Sequence, residues 1–327
     1  MISAMFILAA NAFMQHPVGY KINPETNRAE LTDIMRVLTQ NTSYSAFLHT
    51  VSSAFLAAGA LFAGVGAYLI VKKKDEEVAH AAVKMGAITI LISFVVVAAT
   101  GDYSARVMTT QQPMKMAAAE ALWDSKANAP FSLFTIGSLD GKKPVFQIGL
   151  PSVLSFMSTG KTDGVVEGIN DLEKQYEEKY GAGSYTPVIW LAYWGFRLMI
   201  GFGALAALLA AFILWRQRRG TLPSGKWYTR SVLALPFLPL LGIAFGWIFT
   251  ETARQPWIVF GLMKTSDGVS AIVSAGEVLT TMIVFTALYG FLAVIEFGLM
   301  AKTIKQGPLA AVEGSNANDG APLTMAY

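Results

Sequence analysis

Apolar residues in this chain come in runs, and the runs set its architecture. Five of them, 45–71, 81–100, 188–215, 232–250 and 278–301, carry at most one charged residue each. Each is close to or above the roughly 20 residues that a helix needs to cross a bilayer. A sixth run, 2–14, is 13 residues long. At about 1.5 Å per residue it covers roughly 20 Å, short of the roughly 30 Å hydrocarbon core. No Lys or Arg precedes it, so it makes a poor signal peptide and reads as the second half of a helix whose first half is missing.

The polar stretches between the runs have patterns of their own. Asn23-Pro24-Glu25 is a turn signal, and a short amphipathic helix is expected near 31–38. The segment 102–186 is too long for a simple connection, which marks it as functional. It opens with Gln112-Pro113 and an Ala-rich stretch from Lys115 to Glu120 that reads as a short helix. Pro and Gly punctuate 130–151, with an extended piece at 145–148. Val166, Ile169, Leu172 and Tyr176 then recur at helical spacing with acids between them, the pattern of an amphipathic surface helix. The predicted fold is all-α, a polytopic transmembrane helix bundle of five full spans plus a partial first helix and a large extracytoplasmic loop.

Composition agrees. The chain has 327 residues, 54% hydrophobic and 14% charged, with mean hydropathy +0.46, and the charged share is well below the quarter or so of a soluble domain. Basic residues in short loops orient the spans. Lys72, Lys73 and Lys74, then Arg216, Arg218, Arg219, Lys226 and Arg230, then Lys302 and Lys305 mark the cytoplasmic side. The expected organisation is 1–100 as partial helix and first membrane hairpin, 101–187 as extracytoplasmic loop, 188–303 as a three-span membrane region, and 304–327 as a disordered cytoplasmic tail. Topology accounts for the net charge of +3, so nucleic acid is not an expected partner. There is no cysteine, which excludes disulfides, iron–sulfur clusters and thiolate-bound or c-type haem. Three histidines, His16, His49 and His80, are too few for a haem–copper core. No glycine-rich phosphate loop precedes a helix.

Ionisable groups inside a membrane are costly and therefore candidates for function. His49 lies about one turn into the first full span. It is either a histidine bonded to a neighbouring helix or an axial haem ligand. Met199, in the run Tyr193-Trp194-Gly195-Phe196-Arg197-Leu198-Met199, is either packing or the opposing ligand; the two depths differ by roughly 9 Å, within what tilt and helix ends absorb. Arg197 demands an anionic partner such as a haem propionate. Trp247 and Glu251 share a helix face at i,i+4, and Arg254 follows one turn on. That cluster is either an aromatic belt with an interfacial ion pair or a carboxylate that ligates or neutralises a cofactor.

Taken together, several runs resemble subunit I of the cytochrome bd quinol oxidases. They are Ala9 through Gly19, Phe47-Leu48-His49-Thr50-Val51, Gly101-Asp102, Gln112-Pro113 through Glu120, Phe196-Arg197-Leu198-Met199, and Gly246-Trp247 through Arg254-Gln255-Pro256-Trp257. The resemblance implies that His49 and Met199 ligate a low-spin haem b near the outer face, with Arg197 stabilising it. It implies a quinol-binding loop in which Lys115 holds a quinol oxygen and Glu120 takes its proton. Glu251, with Trp247 beside it, matches the carboxylate of the high-spin haem b. The complete enzyme is expected to carry high-spin haem b and haem d as well, and to reduce oxygen to water with electrons from ubiquinol or menaquinol. Its expected partners are a second membrane subunit, a small single-span subunit and membrane lipid, in the bacterial cytoplasmic membrane with the C-terminus inside. Relative to the family's nine spans, roughly the first three and a half are expected to be missing, so an N-terminally truncated subunit I is the reading. The alternatives are a haem b membrane protein that exchanges electrons with quinol but does not reduce oxygen, and a non-haem helical transporter.

Overall fold

The computed structural model describes residues 2–26, 28–138, 143–218, 226–270 and 272–308. Most of the expected tail, and Arg219 of the basic cluster, lie outside the described residues. In chain order the elements are α1 (Ile2–Gln15), β1 (Tyr20–Asn23), β2 (Arg28–Leu31), α2 (Ile34–Thr39), α3 (Asn41–Val71), α4 (Glu76–Gln111) and α5 (Pro113–Glu120). They continue with β3 (Phe131–Gly137), β4 (Pro144–Leu150), α6 (Val153–Thr159), α7 (Ile169–Tyr180), α8 (Ile189–Arg218), α9 (Lys226–Ala234) and α10 (Phe237–Thr252). Last come β5 (Trp257–Val259), β6 (Met263–Lys264) and α11 (Ala275–Gln306).

Among the described residues, α3, α4, α8 and α11 are each long and apolar enough to cross a membrane, and α9 and α10, bent by 41°, add a fifth when the pair is counted as one span. The break falls at Leu235-Pro236, because proline offers no N–H to the helix and its ring clashes with the preceding turn. The helices outrun the apolar runs. The fourth helix was expected to end at 100 but continues through Gly101-Asp102 to Gln111, where Arg106 pairs with Asp102 one turn below. Polar side chains at a helix end need only reach water, so they do not stop the helix.

The chain divides into two compact units. One comprises 1–57, 89–208 and 237–269 and holds every candidate residue. Within it, α8 and α10 meet through glycines. A Cβ on Gly195 would lie 3.2 Å from the Phe249 backbone nitrogen, and one on Gly246 would lie 2.9 Å from the Met199 sulfur. Gly242 and Gly246 sit four apart on α10 and face Met199, the small-residue seam that lets membrane helices approach closely. The other unit comprises 58–88, 209–236 and 270–327. There a Cβ on Gly86 would meet the backbone nitrogen of Ala63 at 2.6 Å, and one on Gly66 would meet the carbonyl oxygen of Ala79 at 2.7 Å. The α3–α4 hairpin therefore packs with almost no side chain between its backbones. Helix α11 in this unit starts at a capping box of Ser274 and Glu277 and buries none of its residues.

Among the described residues, the polar connections carry three antiparallel two-stranded hairpins that the sequence pattern did not predict beyond 145–148. The turn at Asn23-Pro24-Glu25 joins β1 to β2, with Asn23 Oδ1 accepting from the Glu25 amide. Strand β2 takes 28–31, so the short helix expected at 31–38 narrows to α2. In the long loop β3 pairs with β4, and a register irregularity between Ser132 and Phe134 breaks the alternation. A bulge of this kind turns side chains off the period of two. Ser132 and Thr135, three apart, consequently both point into the protein. The expected amphipathic helix is α7, which buries Ile169, Leu172 and Tyr176, while Val166 lies before it in a β-bridge with Lys126.

Candidate functional site

Helix α5 is where the loop enters the core. Pro113 occupies its first turn, where no intrahelical N–H is needed, and Ala121 closes it in the left-handed conformation at φ 48°. Every residue from Met114 to Glu120 is buried. The alanines explain how one short helix is covered on all sides. Ala117 packs with Leu172 and Tyr176 of α7, while Ala118 and Ala119 pack with Ala192 of α8 and Phe249 of α10.

Lys115 and Glu120, read from sequence as one quinol-facing pair, face different partners. Lys115 Nζ donates to Gln15 Oε1 at 2.8 Å and to the Thr250 carbonyl at 3.3 Å, and lies 5.3 Å from the Phe249 ring centre. Gln15 continues the chain by donating to Asn11 Oδ1 at 2.6 Å, and Asn11 donates to Glu251 Oε1 at 3.0 Å. The other oxygen of Glu251 is bound by Arg254. Gln112 ties α5 to α1 by donating to the Gln15 carbonyl at 2.7 Å. Burial, with the Arg254 charge next, lowers the Lys115 ammonium to about 7, against the pull of Glu251. A small cavity beside Lys115 is lined by Arg254, Tyr185, Trp257 and Phe260. Buried Arg254 Nε and Nη1 and Trp257 Nε1 have no hydrogen-bond partner among the described residues.

Glu120 faces the opposite way. Its Oε2 accepts from Arg197 Nη2 at 2.6 Å and from the Ser132 amide at 3.0 Å. Arg197 Nε donates to the Ser132 carbonyl at 2.6 Å, and its guanidinium lies 4.7 Å from the Phe131 ring and 4.8 Å from the Tyr193 ring. Burial pushes the Glu120 carboxyl up, while the charge and hydrogen bond of Arg197 and the Ser132 amide pull it down. Glu120 Oε1 and Arg197 Nη1 are both buried without a partner among the described residues.

The two candidate iron ligands lie in the same unit. His49 Nδ1 lies 3.2 Å from Thr100 Oγ1, so α4 holds the imidazole by that nitrogen. A Cβ on Gly101 would come within 3.4 Å of the same ring, so the glycine makes room for the imidazole. Met199 rests its sulfur on Gly246. Trp247 is 40% exposed and the Glu251 side chain 41%, so both reach the periphery of the described chain.

Sequence reasoning missed Asn11, Gln15, Ser132, Tyr193 and Thr100 as members of these networks. A signal existed for the first two, since Asn11 and Gln15 stand four apart on an otherwise apolar helix. None existed for Ser132, whose place depends on the β3 bulge.

Known proteins resemble this chain over most of its length. The family described as "Cytochrome bd terminal oxidase subunit I" matches residues 1–308. The chain is 38% identical over 307 residues to the cytochrome bd ubiquinol oxidase subunit 1 of Bacillus subtilis, covering 93% of this chain and 65% of that protein. It therefore spans slightly less than two thirds of that relative's length. A putative cytochrome bd menaquinol oxidase subunit I of the same organism is 28% identical, covering 89% of this chain and 63% of the relative. Among solved structures, the bd oxidase from Geobacillus thermodenitrificans superposes with a TM-score of 0.80 at 25% identity, covering 94% of this chain and 67% of that one. On the extent of the family match and these likenesses, the chain belongs to the cytochrome bd terminal oxidase subunit I family.

Proposed function

We propose that this chain oxidises a quinol and passes the electrons to a low-spin haem b, as part of a membrane quinol:oxygen oxidoreductase of the cytochrome bd type. The relatives named as ubiquinol and menaquinol oxidases support the substrate class. The observation that carries the reading is the bond from Glu120 on α5 to Arg197 on α8. It joins the helix that bears the quinol-side residues to the helix that bears Met199.

In this account the quinol docks by one oxygen at the small cavity beside Lys115, where Arg254 and Trp257 offer unpartnered N–H donors. Lys115, held by Gln15 and the Thr250 carbonyl, sits near its own titration point and can donate to or accept from that oxygen. Glu120, which does not line that cavity, is the acceptor proposed for the quinol's proton, with Oε1 free of partners among the described residues. The side chains present suit a haem. His49 has one ring nitrogen held by Thr100, which fixes ring orientation as an outer partner of a metal ligand does. Met199 supplies a thioether, and Arg197 keeps one buried N–H for a propionate. When bound there, the haem supplies one-electron acceptance and transfer. Glu251, oriented by Asn11 and Arg254, is the carboxylate for a high-spin haem b, with haem d expected in the complete enzyme. A second membrane subunit and a small single-span subunit are the proposed partners. The outer loop is assigned to the extracytoplasmic side from the basic cluster at Lys72–Lys74.

The test is rapid mixing of the purified complex containing this chain with a reduced short-chain ubiquinone or with menadiol, watching the haem b band. Wild type should reduce its haem, and Glu120→Gln should slow that by about 10²-fold or more, the usual range for losing a positioned proton acceptor. A complex without haem b, or one whose haem neither quinol reduces, overturns the reading.

A further inference from the structure

Two tyrosines line the small cavity beside Lys115, and packing accounts for only one of them. The Tyr185 hydroxyl donates to the Gly181 carbonyl at 2.9 Å and accepts from Lys264 Nζ at 3.1 Å. Tyr176 is 7% exposed, and its hydroxyl has no hydrogen-bond partner among the described residues. It lies on the apolar face of α7, where its buried companions are Ile169 and Leu172. Its ring packs edge-on against Tyr180, Tyr185 and Phe260, with ring centres 5.7, 6.0 and 6.0 Å away. Phenylalanine would make the same ring contacts without burying an unpaired hydroxyl, which costs desolvation. Packing explains the ring and leaves the oxygen unexplained.

The cavity supplies a reason for it. Tyr176 shares that cavity with Arg254 and Trp257, and Arg254 Nε, Arg254 Nη1 and Trp257 Nε1 are likewise buried without partners among the described residues. Arginine and tryptophan nitrogens only donate. The free space is about 10 Å³, room for one water-sized group. A water or neutral hydroxyl oxygen has two acceptor positions, fewer than three N–H donors and one O–H call for. A deprotonated quinol oxygen has three, and its negative charge strengthens each bond. Tyr176 would meet such an oxygen as a donor, because it keeps its own proton. Burial, then the neighbouring Tyr180, pushes its pKa up, against the pull of the Met114 backbone.

We infer that Tyr176 is a further substrate-binding residue, whose hydroxyl donates to the docked quinol oxygen as that oxygen loses its proton. This rests on the quinol-oxidation reading above. Arg254 and Trp257 hold the same oxygen, so the three side chains together favour its charged form over the neutral quinol. Contacts that are stronger to the charged form than to the bound quinol raise the rate at saturation rather than the affinity. Tyr176 itself makes and breaks no covalent bond.

The experiment compares wild type, Tyr176→Phe and Glu120→Gln in the whole complex. Each is mixed with a concentration series of a reduced short-chain ubiquinone and of menadiol while haem b reduction is followed. Tyr176→Phe deletes an unpaired buried hydroxyl, so its thermal midpoint should equal or exceed that of wild type, with the same dithionite-reduced spectrum. Its saturating rate should fall by about 10- to 100-fold, the worth of one hydrogen bond to a charged oxygen. An unchanged saturating rate overturns the inference, whatever KM does, and is the result of a cavity that holds only water. A slower rate accompanied by a lowered midpoint marks a packing role and overturns it as well. If Tyr176→Phe loses its haem, 3-fluorotyrosine placed at 176 decides. Its more acidic hydroxyl, in nearly the same shape, should raise the saturating rate, and an unchanged or lower rate overturns the inference. Wild type that oxidises neither quinol instead brings down the functional reading itself. Fast wild type, slow Glu120→Gln and fast Tyr176→Phe bring down the role of Tyr176 alone.

Discussion

Arg197 Nη2 donates to Glu120 Oε2 across 2.6 Å, with the two side chains 9% and 1% exposed. They are 77 positions apart in sequence. A buried pair of this kind contributes little net stability over an apolar one, but breaking it strands a charge, at about 3–5 kcal/mol. Arg197→Leu should therefore lower the thermal midpoint sharply. Glu120→Leu combined with Arg197→Leu should recover part of that loss, and a double-mutant cycle in detergent reads the coupling. Strictly additive losses would mean that the contact carries no such energy.

Lys115 predicts a pH dependence. Its folded value is about 7 against an ordinary 10.5. Between those values the unfolded chain holds a proton that the folded one lacks, so this group makes stability rise with pH across that window. The penalty for burying the charge is fully present below about 7 and gone above about 10.5, at about 1.4 kcal/mol per pH unit in between. Thermal midpoints of wild type and Lys115→Met should thus converge or cross as pH rises from 7 to 10, with wild type gaining on the variant. Parallel curves would contradict the burial argument.

Two glycines of the α8–α10 seam should answer differently to a methyl group. At Gly246 the added carbon meets the end of a flexible side chain, the Met199 sulfur at 2.9 Å. Gly246→Ala should fold with a modest loss and move the haem b absorption and midpoint potential by displacing a ligand. At Gly195 the carbon meets the Phe249 backbone nitrogen at 3.2 Å and the Phe245 carbonyl oxygen at 3.3 Å. Gly195→Ala must push the helices apart, and its cost of about 1–3 kcal/mol is that of overpacking. Melting curves and haem spectra of the two variants distinguish these responses.

Gln15 is the link between α1 and Lys115. Gln15→Leu removes the shorter of the two hydrogen bonds to Lys115 Nζ and leaves only the Thr250 carbonyl at 3.3 Å. The expected result is weaker quinol saturation, seen as a raised KM with the haem spectrum intact. An unchanged KM would remove Gln15 from the site.

The spans were legible because a bilayer imposes a length and an apolar content that no local choice can hide. The loop hairpins were not. Strand β4 is exposed at nearly every position, so no alternation of burial marks it. Spacing did hold one clue about the site that the reading as a single pair passed over. Residues five apart on an α-helix lie about 140° apart around its axis, so Lys115 and Glu120 on a buried helix had to meet different neighbours. Which neighbours they meet depends on contacts 77 and 100 positions away, beyond the reach of any local pattern.

His49 and Met199 are the proposed ligands of a low-spin haem b in this chain. Near-infrared magnetic circular dichroism of the oxidised complex reads axial ligation directly and needs no turnover. Wild type should show a histidine–methionine charge-transfer band that Met199→Leu abolishes, with the haem turning high-spin, and His49→Ala should remove the low-spin haem altogether. A wild-type band of bis-histidine type, or a histidine–methionine band that survives both substitutions, would contradict it.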